Sequence, residues 1–287
     1  MGSPLQPGCR RHTSTVTSRT RIENDGTRTN TRGDPGLTYQ TPLLSIVIAM
    51  YNEEENIEPV VQSTTTELDR HFPGDYELVI VDDGSSDNSY AASVDCAGKY
   101  PGVRICQHKE NAGFGAAIRT GYAASKGQYV PLIPADGEVE VDQVVKLYKE
   151  IGPADLIISQ RNRSVPFHRE ILTAGWSFLM KLFLGFDVKI EGIMVMRRSL
   201  LDQIGLDRIT TNTGLVNIEI PMRAIKLGCD WRQTVIDTKP RLSGESKVVN
   251  LRTTLLTLWE TFKLRFTITT DTRSEAPKTV VQFAEHR

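Results

Sequence analysis

The sequence predicts an α/β fold in which a mostly parallel central sheet is flanked by helices, and two observations support this. Short apolar runs without strict alternation recur along the first half of the chain, as is typical of strands covered on both faces. Each run is followed by a polar turn and then by a segment with helical spacing, as in βαβ units. Ligands bind at the carboxyl ends of such strands, so the polar turns mark the first candidate site.

The elements follow in chain order. The first strand is 43–50, and a polar segment separates it from a helix over 57–72. The first half continues with strand 76–81, helix 88–99, strand 103–108, a helix ending near 125, and strand 129–133. The less regular second half has predicted strands at 155–159, 193–196 and 235–237 and helices at 199–204, 219–226 and 250–266. Gly228 stands where a C-terminal helix cap is expected.

Composition excludes several classes of protein. The 287 residues include 34 Lys+Arg and 35 Asp+Glu, and a net charge of −1 argues against a general nucleic-acid binder. No apolar stretch reaches the ~18 residues of a membrane span. Four cysteines lie far apart without a Cys-x-x-Cys pair, which excludes a zinc ribbon and favours reduced thiols in a cytoplasmic protein.

We divide the chain into four parts. Residues 1–42 are rich in Arg, Ser and Thr, carry a net charge of +3, and are predicted to be a disordered tail, either a transit peptide or a plain extension. Residues 43–250 form the globular domain, 251–270 a C-terminal amphipathic helix, and 271–287 a flexible tail. The apolar stretch 176–186 and the amphipathic helix each fit either a core helix or a membrane-surface helix.

Two motifs follow buried strands and suit a nucleotide ligand. In the segment 82–87, Asp-Asp-Gly-Ser-Ser-Asp, adjacent carboxylates can accept hydrogen bonds from ribose or a base, although the same residues form capping turns. The segment 111–117, Asn-Ala-Gly-Phe-Gly-Ala-Ala, has small residues that let the backbone approach a ligand or a neighbouring strand. The sequence has no Gly-x-Gly-x-x-Gly after the first strand, so a dinucleotide-binding fold is disfavoured.

Two further motifs suit a metal and a phosphate. Asp136 and Glu138 form a carboxylate pair just past a strand, with oxygen ligands of the kind that Mg²⁺ or Mn²⁺ takes, or simply a solvated acidic turn. The segment 241–247, Arg-Leu-Ser-Gly-Glu-Ser-Lys, is a basic loop that could hold phosphate oxygens, or an ordinary surface loop.

In combination, these motifs resemble those of the family 2 glycosyltransferases, which have the GT-A fold. The resemblance starts at 45–54, Ser-Ile-Val-Ile-Ala-Met-Tyr-Asn-Glu-Glu, continues through 81–87 and 111–117, and covers roughly residues 43–250. Within the family, the chain is most similar to dolichyl- and polyprenyl-phosphate mannosyl- and glucosyltransferases, on the basis of the loop 241–247 and the pair Arg197-Arg198.

The resemblance implies a role for each motif residue. The nucleotide-sugar site would comprise Tyr51, Glu53, Asp83, Asn111, Gly113, Ala135 and Ser246. Asp83 would bind the base or ribose. Asp136 matches the last Asp of the family's Asp-x-Asp metal motif, and Glu138 stands where a further ligand often lies, so Mg²⁺ or Mn²⁺ is the implied cofactor. Asp136, Arg241 and Lys247 would be the catalytic residues, with the last two contacting the donor diphosphate or an acceptor phosphate.

The resemblance also implies partners, and the departures from the family pattern bear on them. The partners would be a nucleoside-diphosphate sugar and a lipid phosphate at a membrane surface, with or without a membrane-anchoring subunit, and no nucleic acid. The protein would be cytoplasmic and would act on the cytoplasmic face of a membrane.

The sequence departs from the family pattern at several points. Pro134 replaces the first Asp of Asp-x-Asp, and 188–193 replace the family's Asp-Thr-x-x-Gly-Phe. There is no Gln-x-x-Arg-Trp, which disfavours a processive polysaccharide synthase. No Glu-Asp base motif stands near 187–192, as expected for an acceptor phosphate that is already anionic.

Two other functions remain open. A nucleotidyltransferase also uses an α/β nucleotide-binding sheet, but it needs a Gly-rich basic loop after the first strand, and here that loop is acidic. A non-catalytic sugar-nucleotide-binding protein with a decayed metal site is the other alternative, and Pro134 favours it.

Overall fold

The computed structural model describes residues 20–22, 28–30, 41–162, 181, 192–239, 251–270 and 281–282, with side chains over 41–162, 181, 192–239 and 253–268. The loop 241–247 and all of 176–186 except Lys181 lie outside the described residues. The described strands are β1 Thr20–Ile22, β2 Arg28–Asn30, β3 Leu44–Met50, β4 Tyr76–Asp82, β5 Val103–Gln107, β6 Leu132–Pro134, β7 Leu156–Arg161, β8 Met194–Met196, β9 Trp231–Ile236 and β10 Val281–Gln282. The described helices are α1 Ile57–His71, α2 Ser89–Lys99, α3 Phe114–Ala124, α4 Val141–Ile151, α5 Arg198–Ile204, α6 Val216–Lys226 and α7 Leu251–Thr270, with a 3₁₀ turn at Leu206–Arg208.

A parallel sheet in the order β5-β4-β3-β6 forms the first half of the domain. Its strands are buried on both faces, as the unbroken apolar runs predict. In β3, Leu44, Ile46 and Ile48 pack into the core under α1 and α4, while Val47 packs into the core on the opposite side, under α3. The predicted α/β class with a central parallel sheet is therefore confirmed.

A second sheet, in the order β10-β9-β7-β8, continues the first. Strand β7 pairs parallel with β9 and antiparallel with β8. The stretch just before β6 joins the two sheets, because Tyr129 bridges Leu44 on one side and Arg197 on the other. The amide N–H of Val130 donates to the Met196 carbonyl at 2.9 Å. The prediction of a strand at 129–133 thus corresponds to these bridges followed by β6.

Three features differ from the sequence-based expectation. Helix α4 was not predicted, although Val141, Val144, Val145 and Ile151 bury one face of it. Strand β9 begins at Trp231, four residues before the predicted strand. Two short pairings fall within the predicted tails: β1 pairs antiparallel with β2, and β10 pairs parallel with β9.

Helix α7 packs by a narrow inner face. Leu264 and Ile268 are buried in a small core cluster with Leu215 and Met222, and they fix the helix against α6. The amphipathic pattern correctly predicts the helix, and the structure places most of its apolar side chains at the surface. None of the described helices is both long and apolar enough to cross a membrane.

Candidate functional site

The carboxyl ends of the first four core strands meet at one edge of the sheet. Met50 is in register with Asp82, Asp82 with Gln107, and Ala49 with Pro134. The polar turns that the sequence places after these strands are therefore neighbours in space.

The loops after β3 and β4 are hydrogen-bonded to each other. Asn52 has a left-handed backbone (φ 55°), and its side-chain oxygen accepts the Ser86 N–H at 2.8 Å. The Asn52 N–H donates to Ser85 Oγ at 2.9 Å, and the Glu53 N–H donates to Ser89 Oγ at 2.6 Å. Tyr51 lies exposed at the start of the first loop. The structure thus places the predicted residues Tyr51 and Glu53 next to the Asp-Asp-Gly-Ser-Ser-Asp turn.

Asp83 joins this pair of loops to the loop after β5. Its carboxylate is buried, with Oδ1 accepting the Ala112 N–H at 3.0 Å and Oδ2 accepting the Gly113 N–H at 2.9 Å. His108 Nδ1 lies 2.6 Å from Oδ1, and His108 Nε2 lies 2.8 Å from Thr120 Oγ1. The carboxylate therefore shapes the predicted loop Asn111–Gly113, which was assigned to the same site.

Gly113 is required by its surroundings. Its φ is +97°, a conformation that side chains disfavour, and a Cβ there would lie 2.6 Å from the Asn212 carbonyl oxygen. Helix α3 begins at the next residue, so the positive end of its dipole lies beside this loop, at the same edge of the sheet. Such an end favours an anionic ligand.

The acidic turn after β6 separates its two carboxylates. Asp136 is buried beside the buried Ala135, and its Oδ1 accepts the Glu138 N–H at 3.0 Å. Glu138 forms a short ion pair with Arg161 at the end of β7. Pro134, the last residue of β6, has no side chain that can bind a metal.

The acidic turn offers few protein ligands for a divalent cation. Among the side chains that the structure describes, no group of three or more His, Cys, Asp or Glu residues is arranged to hold a metal ion. Asp136 supplies one hard oxygen donor, whereas Arg161 compensates the charge of Glu138. A cation here would need further oxygens from a ligand such as a diphosphate.

The loop 210–213 borders the site, and the sequence analysis does not include it. The Asn212 carbonyl accepts the Gly115 N–H at 2.9 Å, which places this loop against the start of α3. Arg119 of α3 donates to the Thr211 carbonyl at 2.7 Å and to Asn212 Oδ1 at 2.6 Å. Burial lowers the pKa of Arg119 from its ordinary value, and a guanidinium remains charged all the same.

Two buried glutamates hold the same loop from behind. Glu219 of α6 accepts the Thr211 N–H at 2.9 Å and pairs with Arg223 at 2.8 Å. Glu260 of α7 accepts the Asn212 N–H at 2.8 Å and the Thr213 hydroxyl at 2.6 Å. The loop therefore connects the C-terminal helix to the N-terminus of α3. Its partners include Glu260, 48 residues away in sequence, and Arg119, 93 residues away, so no local pattern could have revealed them.

The predicted site residues that the structure describes lie in two groups at the carboxyl edge of the first sheet. The first is the hydrogen-bonded loop set, with Tyr51, Glu53, Asp83, Asn111 and Gly113. The second is the acidic turn, with Ala135, Asp136 and Glu138. Arg241, Ser246 and Lys247 lie outside the described residues.

Comparison with known sequences places this edge in context. The model of the family described as "Glycosyl transferase family 2" matches residues 45–205, more than half of the chain. A dolichyl-phosphate beta-glucosyltransferase of Trichomonas vaginalis is 32% identical over 121 residues, covering 41% of this chain and 35% of the relative. A dolichol-phosphate mannosyltransferase of Pyrococcus furiosus is 25% identical over 178 residues, covering 58% and 49%. The chain thus spans between a third and a half of the length of these curated relatives.

Solved structures share the fold. A glucosyl-3-phosphoglycerate synthase from Mycobacterium tuberculosis, in complex with Mn²⁺ and UDP-glucose, has a TM-score of 0.58 at 19% identity, covering 77% of this chain and 79% of that one. A mannosyltransferase from Pyrobaculum calidifontis, in complex with GDP-mannose and Mn²⁺, has a TM-score of 0.54 at 16% identity, covering 72% and 59%. Both have the GT-A fold, and the fold predicted from the sequence is therefore confirmed.

Proposed function

Because the chain belongs to glycosyl transferase family 2, we propose that it transfers a sugar from a nucleoside-diphosphate sugar to a polyprenyl phosphate such as dolichyl phosphate. The observation that carries the proposal is the hydrogen-bonded set of three loops around Asp83, at the carboxyl edge of a parallel sheet. The names of the curated relatives support the sugar-phosphate-lipid chemistry.

In this proposal the loops after β3, β4 and β5 hold the nucleotide. Tyr51 and Glu53 line the pocket, and Asp83 either contacts the base or ribose or positions the loop that does. The loop at Asn111–Gly113 brings its backbone close to the ligand, because Gly113 presents no side chain. The N-terminus of α3 then faces the negative charge of the donor.

The acidic turn would face the diphosphate. Asp136 would hold Mg²⁺ or Mn²⁺ together with diphosphate oxygens. Glu138 would bind the cation directly or through a water molecule when its ion pair with Arg161 opens. A divalent cation supplies charge neutralisation for the diphosphate and for the leaving group. The two solved structures described above, which were crystallised with Mn²⁺ and a sugar nucleotide, are consistent with this assignment.

The acceptor side needs no general base in this proposal. A lipid phosphate is anionic near neutral pH and can attack the sugar carbon as it is. Arg241, Ser246 and Lys247 would orient that phosphate or the donor diphosphate. The enzyme would work peripherally on the cytoplasmic face of a membrane, with or without an anchoring subunit.

The test is a transfer assay. The purified full chain is incubated with labelled UDP- and GDP-sugars, polyprenyl phosphate and Mn²⁺, and labelled lipid is extracted. We expect lipid-linked sugar with one donor, and loss of the product in excess chelator. Binding of a sugar nucleotide by calorimetry without any product would contradict the proposal.

A second candidate is a non-catalytic sugar-nucleotide-binding protein. Pro134 at the metal motif and the pairing of Glu138 with Arg161 favour it, because both reduce the number of protein ligands for a cation. Donor binding that persists with and without Mn²⁺, in the absence of both transfer and donor hydrolysis, would identify this function.

A further inference from the structure

Helix α7 carries most of the large apolar side chains that the described part of the chain exposes. Nine such side chains are exposed, and six of them lie on α7. Five form what we call the outer face, consisting of Leu255, Leu258, Trp259, Phe262 and Phe266, each between 46% and 58% exposed. Single exposed apolar side chains need no explanation, but a contiguous group marks an interaction surface.

The orientation of this face is fixed by the packing of the opposite side. Leu264 and Ile268 are buried against α6, so the helix cannot turn its outer face inward without losing that core contact. On the outer face, Trp259 stacks on Phe262 with ring centroids 6.0 Å apart, and Phe262 meets Phe266 edge-on at 5.1 Å. The aromatic rings therefore form an ordered ladder.

The charges of α7 are segregated as well. Glu260, the one acidic residue of the helix, points inward and is 8% exposed, because it binds the loop 210–213. Lys263 and Arg265 are exposed. At 3.6 residues per turn they lie on opposite sides of the outer face, and the Lys263 ammonium sits 5.0 Å from the Trp259 ring centroid.

A cationic hollow lies beside the same helix. Ile268 lines it together with Arg208, Arg223 and Lys226, and none of its six lining residues is acidic, while Arg223 is paired with the buried Glu219 of the same helix. Burial, and then the nearby positive charge of Arg223, lower the pKa of Lys226 from its ordinary value. An anion close to these side chains would offset that repulsion.

We propose that the outer face of α7 docks on the surface of an anionic lipid bilayer, with its aromatic side chains in the headgroup region and its cations on lipid phosphates. Aromatic side chains flanked by Lys and Arg are the composition of helices that lie in this interface. The charges argue against the alternative occupants. A second copy would bring Lys263 and Arg265 against equal charges. The chain's own segment 163–191 carries four Arg or Lys residues against three Asp or Glu, so it offers these cations no net negative charge.

This surface deepens the proposed function, since it would bring the sheet edge to a lipid acceptor, but it can be tested without any sugar. The full chain is floated with vesicles of phosphatidylcholine alone and with vesicles that also contain phosphatidylglycerol. We expect binding to the anionic vesicles, and an apparent affinity lowered by about tenfold or more in Trp259→Ser/Phe262→Ser. Lys263→Gln/Arg265→Gln should remove most of the preference for anionic lipid.

Val94→Ser is the matched control, because Val94 is a large apolar side chain exposed to a similar extent, on α2. It should bind vesicles as the unsubstituted chain does, and all variants should keep the circular dichroism spectrum and melting temperature. Equal loss in Val94→Ser, or no binding of the unsubstituted chain, would overturn the proposal. A dimer that Trp259→Ser/Phe262→Ser dissociates, measured by light scattering, would assign the face to a second copy.

Failure of docking and failure of the proposed function are distinguishable. Transfer to a short-chain, water-soluble polyprenyl phosphate requires no bilayer and should be the same for the unsubstituted chain and Trp259→Ser/Phe262→Ser. Transfer without vesicle binding would refute the docking surface alone, and vesicle binding without transfer would refute the proposed function alone.

Discussion

Asp83 shows how a single carboxylate can organise a binding site from within. It accepts the Ala112 and Gly113 N–H groups and lies beside His108, so three of its approximately four acceptor positions face the protein. A residue assigned from sequence to the base or ribose therefore has a second role, which is to fix the loop that borders the nucleotide. The two roles are compatible, since one acceptor position remains.

We expect Asp83→Asn to weaken both nucleotide binding and folding. The amide keeps the size of the side chain but places an NH₂ group against the N–H donors of Ala112 or Gly113. Loss of a hydrogen bond to a charged group costs about 1.5–3 kcal/mol, or roughly ten- to a hundredfold in the nucleotide Kd. Calorimetry with UDP and GDP measures the affinity, and urea unfolding the stability. Unchanged values for both would contradict the assignment.

Three substitutions in the acidic turn should affect transfer activity to different extents. Asp136→Asn should lower transfer by about a hundredfold or more, since the cation would lose its main protein ligand. Glu138→Gln should have a smaller effect, because Arg161 already compensates its charge. Glu140→Gln is the control, as Glu140 lies on the same turn but pairs with Lys239 at the surface. Metal titration of transfer for the three variants tests the order, and a Glu140→Gln defect equal to that of Asp136→Asn would contradict it.

At the scale of elements, the sequence predicts what depends on local spacing. The sequence predicts the buried strands β3 and β4, the turns after them and the Gly228 cap (φ 78°). Each of these features depends on residues that are close together in the sequence. Helix α4 also has a local pattern, since Val141, Val144 and Val145 have helical spacing and are buried on one face, but the sequence-based prediction does not include this helix.

Other features depend on contacts that no local pattern contains. The periodicity of α7 shows that Leu255, Trp259 and Phe262 share a face, but not which side of the helix the domain covers. The domain covers Leu264 and Ile268 instead. The loop 210–213 is held by acids on two different helices, and its place in the site could not be foreseen.

Glu260→Gln tests whether α7 supports the nucleotide site. The substitution weakens the bonds to the Asn212 and Thr213 N–H groups, and the loop they hold touches the start of α3 through Gly115. We expect a loss of about 1–3 kcal/mol in unfolding free energy and a higher nucleotide Kd. Thr257→Ala is the control, because the Thr257 hydroxyl bonds only within the helix, to the Thr253 carbonyl. A lower stability with an unchanged Kd would make Glu260 purely structural.

At the scale of the whole molecule, the two four-stranded sheets are joined at Tyr129. Tyr129 bridges Leu44 and Arg197, and Val130, Gln128 and Asp155 add backbone hydrogen bonds across the same junction. The nucleotide edge belongs to the first half, while β7, β9 and α6 belong to the second. Because both halves share this backbone junction and two core clusters, one on each face of the sheet, that extend across it, we expect them to unfold as a single cooperative unit.

Nucleotide binding should therefore stabilise both halves equally. A ligand at 100 times its Kd adds about 2.7 kcal/mol to the free energy of any opening that destroys its site. Native-state hydrogen exchange follows the amides of Val79 in β4 and of Ile157 in β7, and the opening free energy of both should rise by this amount when nucleotide is added.

A substitution at the junction tests the same coupling. Val130→Pro removes the N–H that bonds to Met196 and should lower the protection of both strands, while Val130→Ala keeps that bond and loses only side-chain packing. If Val79 gains protection on adding nucleotide and Ile157 does not, the second half opens independently, and α6 and α7 cannot hold the loop 210–213 in place when the donor binds.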